Sequence, residues 1–172
     1  SHNMAAISAL CKQTIYLKNG EIQFMGSTRP GLDAYLQDNL RLSDTPLADR
    51  IDRVGEGKIR FDSSWTEDAN GVHTNTFLSG DTLVIAAQML INQSEVGKKI
   101  AVAFQVKDHS ELPVTDLSSV STGVEFVAAR SGRVIVHCCL ARLPLVPGTY
   151  THNVIVRSDN TVQDFILTAG KF

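Results

Sequence analysis

No stretch of this sequence holds the ~18 consecutive apolar residues that a bilayer-spanning helix needs, and none has the basic, apolar, small-residue order of a secretory leader. A charge excess is also lacking. Sixteen Lys and Arg stand against eighteen Asp and Glu, for a formal net charge of −2. Such a chain has no basic stripe with which to displace the counterions of a nucleic acid, so nucleic acid is not an expected partner. Cysteine is scarce: Cys11, Cys138 and Cys139 are an odd number. The last two are neighbours in an apolar run, and neighbours on a strand point to opposite faces, so they cannot easily share a metal or a partner. Reduced, packed thiols in a cytoplasmic protein are expected.

The motifs that carry catalysis are missing as well. Gly55-Glu-Gly-Lys58 lacks both the spacing and the hydroxyl of a phosphate-binding loop, and Gly97-Lys98-Lys99 fails likewise. There is no Gly-x-Ser-x-Gly, no His-Glu-x-x-His and no Cys-x-x-Cys. Asp68-x-Asn70-Gly71 lacks the further carboxylates of a calcium loop and reads as a turn. Glu111, Asp116 and Glu125 fall in the least regular part of the chain, with no identifiable pair for glycoside hydrolysis. His137 and His152 each sit in a strand pattern and could become neighbours across a sheet, in a structural role. No cofactor, no metal and no catalytic residue are expected, and a binding module fits better than an enzyme.

What is present is an ordinary globular composition, 43% apolar and 20% charged over 172 residues, enough for one domain and an appendage. Ser1-His2-Asn3-Met4 reads as a cloning remnant. Residues 14–17 and 21–24 alternate around Lys18-Asn19-Gly20, a hairpin signal because Asn and Gly tolerate positive φ. Ser27 or Thr28 can cap a helix over 30–41, with Pro30 in its first turn and Leu32, Tyr35, Leu36 and Leu40 on one face. Residues 43–56 are polar, with Pro46 and Gly55, and read as a linker. From residue 57 the signal is β: runs at 59–61, 72–78, 83–91, 99–107, 134–143, 150–157 and 162–168, with 112–123 either strand or loop. About seven or eight strands separated by turns, without intervening helix, predict a mainly β fold. The expected form is an immunoglobulin-like antiparallel β-sandwich over 57–172, behind a short N-terminal hairpin-helix segment.

Leu10-Cys-Lys-Gln-Thr-Ile-Tyr-Leu-Lys-Asn-Gly-Glu-Ile-Gln-Phe-Met-Gly26, followed by Asp33-Ala-Tyr-Leu36, resembles the closing stretch of an ABC ATPase domain. Gly57-Lys-Ile-Arg-Phe61, Asp68-Ala-Asn-Gly71, Phe77-Leu-Ser-Gly-Asp-Thr-Leu-Val-Ile85 and Leu145-Val-Pro-Gly-Thr-Tyr150 are similar to the carbohydrate-binding domain at the C-terminus of O-antigen and related polysaccharide ABC exporters. The resemblance implies that residues 5–42 are the tail of the ATPase domain and that the sandwich recognises the finished O-antigen polysaccharide at its non-reducing end. It also implies a homodimer, partnered by its own ATPase domain and a transmembrane permease. The location implied is cytoplasmic, peripheral to the inner membrane. The alternative is a module that only pairs the ATPase subunits.

Alternation supplies candidate glycan contacts. With Val102, Phe104 and Val106 inward, Gln105 and Lys107 face out; with Val154 and Val156 inward, Thr151, Asn153 and Arg157 face out beside them. Lys107 and Arg157 would suit an acidic or phosphorylated sugar. Gln88 and His137 are expected outward on the opposite sheet and rank lower. Trp65 ends the first strand of the body and is evenly balanced between core and sugar platform. Tyr150, behind Pro147-Gly148, is expected to anchor a corner of the sandwich.

Overall fold

The computed structural model describes residues 4–172. The first three residues of the remnant lie outside that range, while Met4 opens a short helix, α1 (Met4–Leu10), that the sequence did not announce. The hairpin forms as expected: β1 (Gln13–Lys18) pairs with β2 (Glu21–Ser27), and Asn19 and Gly20 turn the chain at φ of 53° and 82°. Helix α2 (Thr28–Leu42) starts two residues before the expected point, and Ser27 makes no side-chain cap bond; the Thr28 hydroxyl instead donates to the Cys11 carbonyl at 2.7 Å. A Cβ at Gly31 would lie 2.3 Å from Thr14 Oγ1, so the glycine is what lets helix and hairpin approach. Tyr16 meets Tyr35 edge to face at 5.5 Å and donates to Asp38 at 2.9 Å. Burial and Asp38 together push the Tyr16 phenol up to about 12.

The body is a sandwich of two antiparallel sheets. The larger has six strands. β3 (Arg53–Val54), β11 (Thr161–Lys171), β10 (Thr151–Ser158) and β6 (Lys99–Lys107) follow one another, and β6 carries both β7 (Pro113–Ser118) and β8 (Phe126–Val127). The smaller has three, in the order β4 (Ile59–Glu67), β5 (Leu83–Ile91), β9 (Gly132–Leu140). The inward residues make one core, with Ile59, Phe61, Leu83, Ile85, Val154, Val156 and Ile166 fully buried. Burial of apolar area on this scale is what holds two sheets together. Tyr150 donates to the Val146 carbonyl at 2.9 Å and stacks on Phe172.

Three expectations are corrected. Residues 72–78 form no strand. The Asp68 carboxylate takes the amides of Asn70 and Val72, Thr74 bonds back to Thr66, and the chain turns away after a single bridge between Glu67 and His73. Residues 43–56 are not a free tether: Leu47 and Arg50 are buried, and Arg53–Val54 joins the edge of the larger sheet. There Arg53 binds Asp164 through two nitrogens and also donates to the Phe61 carbonyl, while Asp164 accepts the Phe61 amide, so one buried ion pair ties the connector to both sheets. Finally, only Cys138 is partly packed; Cys11 and Cys139 are exposed.

Candidate functional site

A bulge in β4 decides what the smaller sheet offers to solvent. Ile59 and Phe61 point inward, and unbroken alternation would send Trp65 after them. Between Phe61 and Ser63 the register slips, so that Ser63 lies opposite Gln88 and Trp65 opposite Ala86. The extra residue, Asp62, reverses the faces: Ser64 and Thr66 turn inward, Trp65 and Glu67 outward.

Trp65 therefore lies on the outer surface, in the same row as Ala86 and His137. Its indole N–H donates to Glu67 Oε1, and its ring stacks on His73 with centroids 5.4 Å apart. His73 Nε2 is 3.5 Å from Glu67 Oε1, and His137 Nε2 is 3.9 Å from Glu67 Oε2. The Glu67 carboxylate is thus almost enclosed, 12% exposed, between two imidazoles and an indole. Further along the same face Asp62 accepts from Arg133 at 2.9 Å and from Gln88 at 3.4 Å. Among the described residues no group of three or more His, Cys, Asp and Glu side chains could hold a metal ion.

At the free edge of β4 this surface opens into a polar cavity of about 470 Å³, lined by Trp65, His73, Asn75, Ser64, His152 and Gly170 among others. His152 is fully buried between the sheets, its Nε2 2.8 Å from Ser64 Oγ. It is no neighbour of His137, which lies on the outer face of the other sheet. Burial without a charged partner pushes its imidazole down to about 4.

The outer face of the larger sheet differs from expectation. Gln105 is present there, but its amide is spent on Asp116 (3.0 Å) and on Asn153 (3.1 Å). Lys107 is paired with Glu111 at 3.1 Å and is only 15% exposed. Thr151 and Asn153 are not outward contacts at all: both are buried, at 2% exposure. The reason is that the end of α2 and the connector cross this part of the sheet, with Arg50 reaching the carbonyls of Leu42, Leu167 and Thr168 and Lys171 reaching Asp44. Asn153 accepts the Thr168 amide at 2.8 Å, bracing a bulge in β11. Arg157 alone of this group is exposed, at the rim of a groove with Lys99, Glu125 and Phe126.

The family model for the Wzt C-terminal domain matches residues 50–172, most of the chain. The chain belongs to the Wzt C-terminal domain family. It is a C-terminal domain of an ABC transporter's ATP-binding subunit. The crystal structure of a C-terminal domain of Wzt superposes with a TM-score of 0.62 at 14% identity, over 72% of this chain and 78% of that one. The shared mainly β, antiparallel architecture is thereby shown, and nothing finer. A β-glucuronidase of Bacteroides uniformis also matches, at a TM-score of 0.39, 9% identity and coverage of 63% and 15%, a likeness too slight to bear on this domain. No curated protein matches the chain. Among the described residues no helix is long and apolar enough to cross a membrane.

For this member of the Wzt C-terminal domain family, Trp65, His137 and Gln88 share one outer face, while the five residues ranked first lie on the other sheet, two of them buried. Glu67 and His73 escaped the sequence reading. The available signal was the polar run Asp62-Ser63-Ser64, which breaks the alternation begun by Ile59 and Phe61.

Proposed function

We propose that this domain binds the O-antigen polysaccharide at its non-reducing end, as a non-catalytic module that couples recognition of the finished glycan to export across the inner membrane. The carrying observation is the Trp65 face. A sugar ring presents a weakly apolar face edged by hydroxyls, and it needs a flat aromatic surface with hydrogen-bonding groups beside it. Trp65 and His73 supply the stacked rings, and Glu67, His137 and Gln88 supply the polar groups. Arg157 is a secondary contact, and Gln105 and Lys107 contribute only where their present partners release them. The domain acts as a homodimer with its ATPase domain and the permease, on the cytoplasmic side of the inner membrane.

The test is calorimetric titration of purified polysaccharide from the producing strain into the domain. Binding by the wild type and at least tenfold weaker binding by Trp65→Ala is the expected result. No heat with the wild type would leave the pairing of ATPase subunits as the domain's role. Binding undiminished in Trp65→Ala but lost in Arg157→Ala would move the site to the larger sheet.

A further inference from the structure

Asn75 and Lys171 stand between two hollows. One is the polar cavity at the free edge of β4, with Trp65 in its wall. The other is a groove of about 450 Å³ at the end of the sandwich, between residues 75–79 and 143–150. This groove is open to solvent along both rims, where Leu78 and Val146 are each 74% exposed. Its floor is aromatic: Phe172 stacks on Tyr150 with centroids 5.8 Å apart and meets Phe77 edge to face at 6.0 Å.

Both walls are held in place. The Gly80 amide donates to the Leu143 carbonyl and the Leu143 amide to the Asp81 carbonyl, each at 2.9 Å, which laces the two loops together at their base. The Asp81 carboxylate accepts the Leu78 amide at 2.8 Å, and the Tyr150 hydroxyl donates to the Val146 carbonyl across the turn at Pro147. A groove fixed before anything enters it asks little ordering of its ligand.

The lining limits what fits. Leu78, Leu145, Val146 and Pro147 offer apolar contact, while Asn75, Thr76, Ser79 and Thr149 carry an amide and hydroxyls. The one charged side chain, Lys171, is matched by Asp44 at 2.7 Å, so no free cation calls for an anionic ligand. A plain hexose, edged all round with hydroxyls, would leave the apolar rim without a partner. A sugar with a methyl in place of a hydroxyl, or with an acetyl group, serves both kinds of wall. Because Asn75 and Lys171 border both hollows, a glycan on Trp65 has a continuous path into the groove.

We infer that this groove is a second subsite, for a neutral sugar residue that bears a methyl group, as a 6-deoxy or an acetylated unit of the same glycan that lies on Trp65. This rests on the glycan-binding reading and adds to it the class of sugar.

The test uses the full chain, with short oligosaccharides released from the strain's polysaccharide and two simple sugars, L-rhamnose and L-mannose, which differ only in the methyl group. Saturating the protein methyls should pass magnetisation most strongly to the deoxy or acetyl methyls of the oligosaccharides. L-Rhamnose should shift the amides of Leu78 and Val146, and L-mannose should shift them much less. Leu78→Asp and Val146→Trp alter exposed side chains at the rim and should leave the fold intact. Each should weaken oligosaccharide binding about tenfold. Equal shifts with the two sugars, or a polysaccharide that holds no deoxy or acetyl group, would refute the methyl preference. If the oligosaccharides bind and Trp65→Ala impairs them, yet both rim variants bind as the wild type does, the subsite is overturned while the glycan reading stands. Rim variants that turn a dimer into a monomer on sedimentation, with affinity unchanged, would make the groove a contact between two copies of the chain. If nothing binds to the wild type, both readings fall.

Discussion

The Arg50 guanidinium donates to the carbonyl of Thr168 at 3.2 Å, the point where β11 adopts a positive φ of 49°. A β-branched residue in that region is strained, and such a conformation persists only where its surroundings hold it. Here they do: the Thr168 amide goes to Asn153 and its carbonyl to Arg50. The same guanidinium grips Asp52 through Nε and Nη2 and bonds the carbonyls of Leu42 and Leu167. One buried side chain thus joins the C-terminal end of α2, the connector and the bulge.

Arg50→Ala should destabilise the domain by about 3 kcal/mol, because three carbonyls lose a charged donor at once. Asp52→Ala should cost under about 1 kcal/mol, since that carboxylate is half exposed and its pair is screened. Urea midpoints of the two variants separate these outcomes; equal shifts would show that the carbonyl bonds matter little.

Asn153→Ala should lower stability by about 2 kcal/mol, since the buried Thr168 amide is left without an acceptor. Glycan binding should survive in the folded fraction. Trp65→Ala should do the reverse, with a small change in urea midpoint and a large loss of affinity. A variant at 153 that folds normally and fails to bind would return the site to the larger sheet.

His152 makes stability depend on pH. Its folded value, about 4, lies below the ordinary 6.5 because burial disfavours the charged ring. Between those values the unfolded chain takes up a proton that the folded chain refuses. The contribution is therefore complete above pH 6.5 and falls away as the solution is acidified, the full loss of roughly 3 kcal/mol being reached below about pH 4. Urea midpoints at pH 7 and pH 4.5, compared with His152→Gln, check this: the variant's curve should fall less steeply over that interval.

Thiol reactivity should divide the cysteines. Cys11 and Cys139 are exposed, while Cys138 is half-buried and its thiol is pushed up by burial and then by Cys139. With an aromatic disulfide reagent near pH 7.5, two thiols should react promptly in the native protein and the third only on unfolding. Prompt reaction of all three would mean that the inner face of β9 opens readily.

Much of this architecture could be read before any coordinates. Asn19-Gly20 placed the hairpin because few residues tolerate positive φ in succession. Strands β5 and β6 fell on their exact bounds because their inward positions are almost all Ile, Leu, Val, Met and Phe. The site was read less well. Alternation says which side chains share a face, but not whether another part of the chain covers it. Thr151 and Asn153 alternate as outward residues should, and are buried because α2 and the connector cross over them.

Local pattern thus determined the hairpin, the helix and the period-two strands, since each depends on backbone preference and on burying one face. Only the tertiary structure decided the rest. The bulge at Asp62 reverses the sense of Trp65 and Ser64 by adding a single residue to β4, and its effect is defined only against the register of β5. Whether Trp65 became core or platform, and whether His152 kept an unpaired nitrogen, depended on contacts between residues more than twenty positions apart, which no local rule contains.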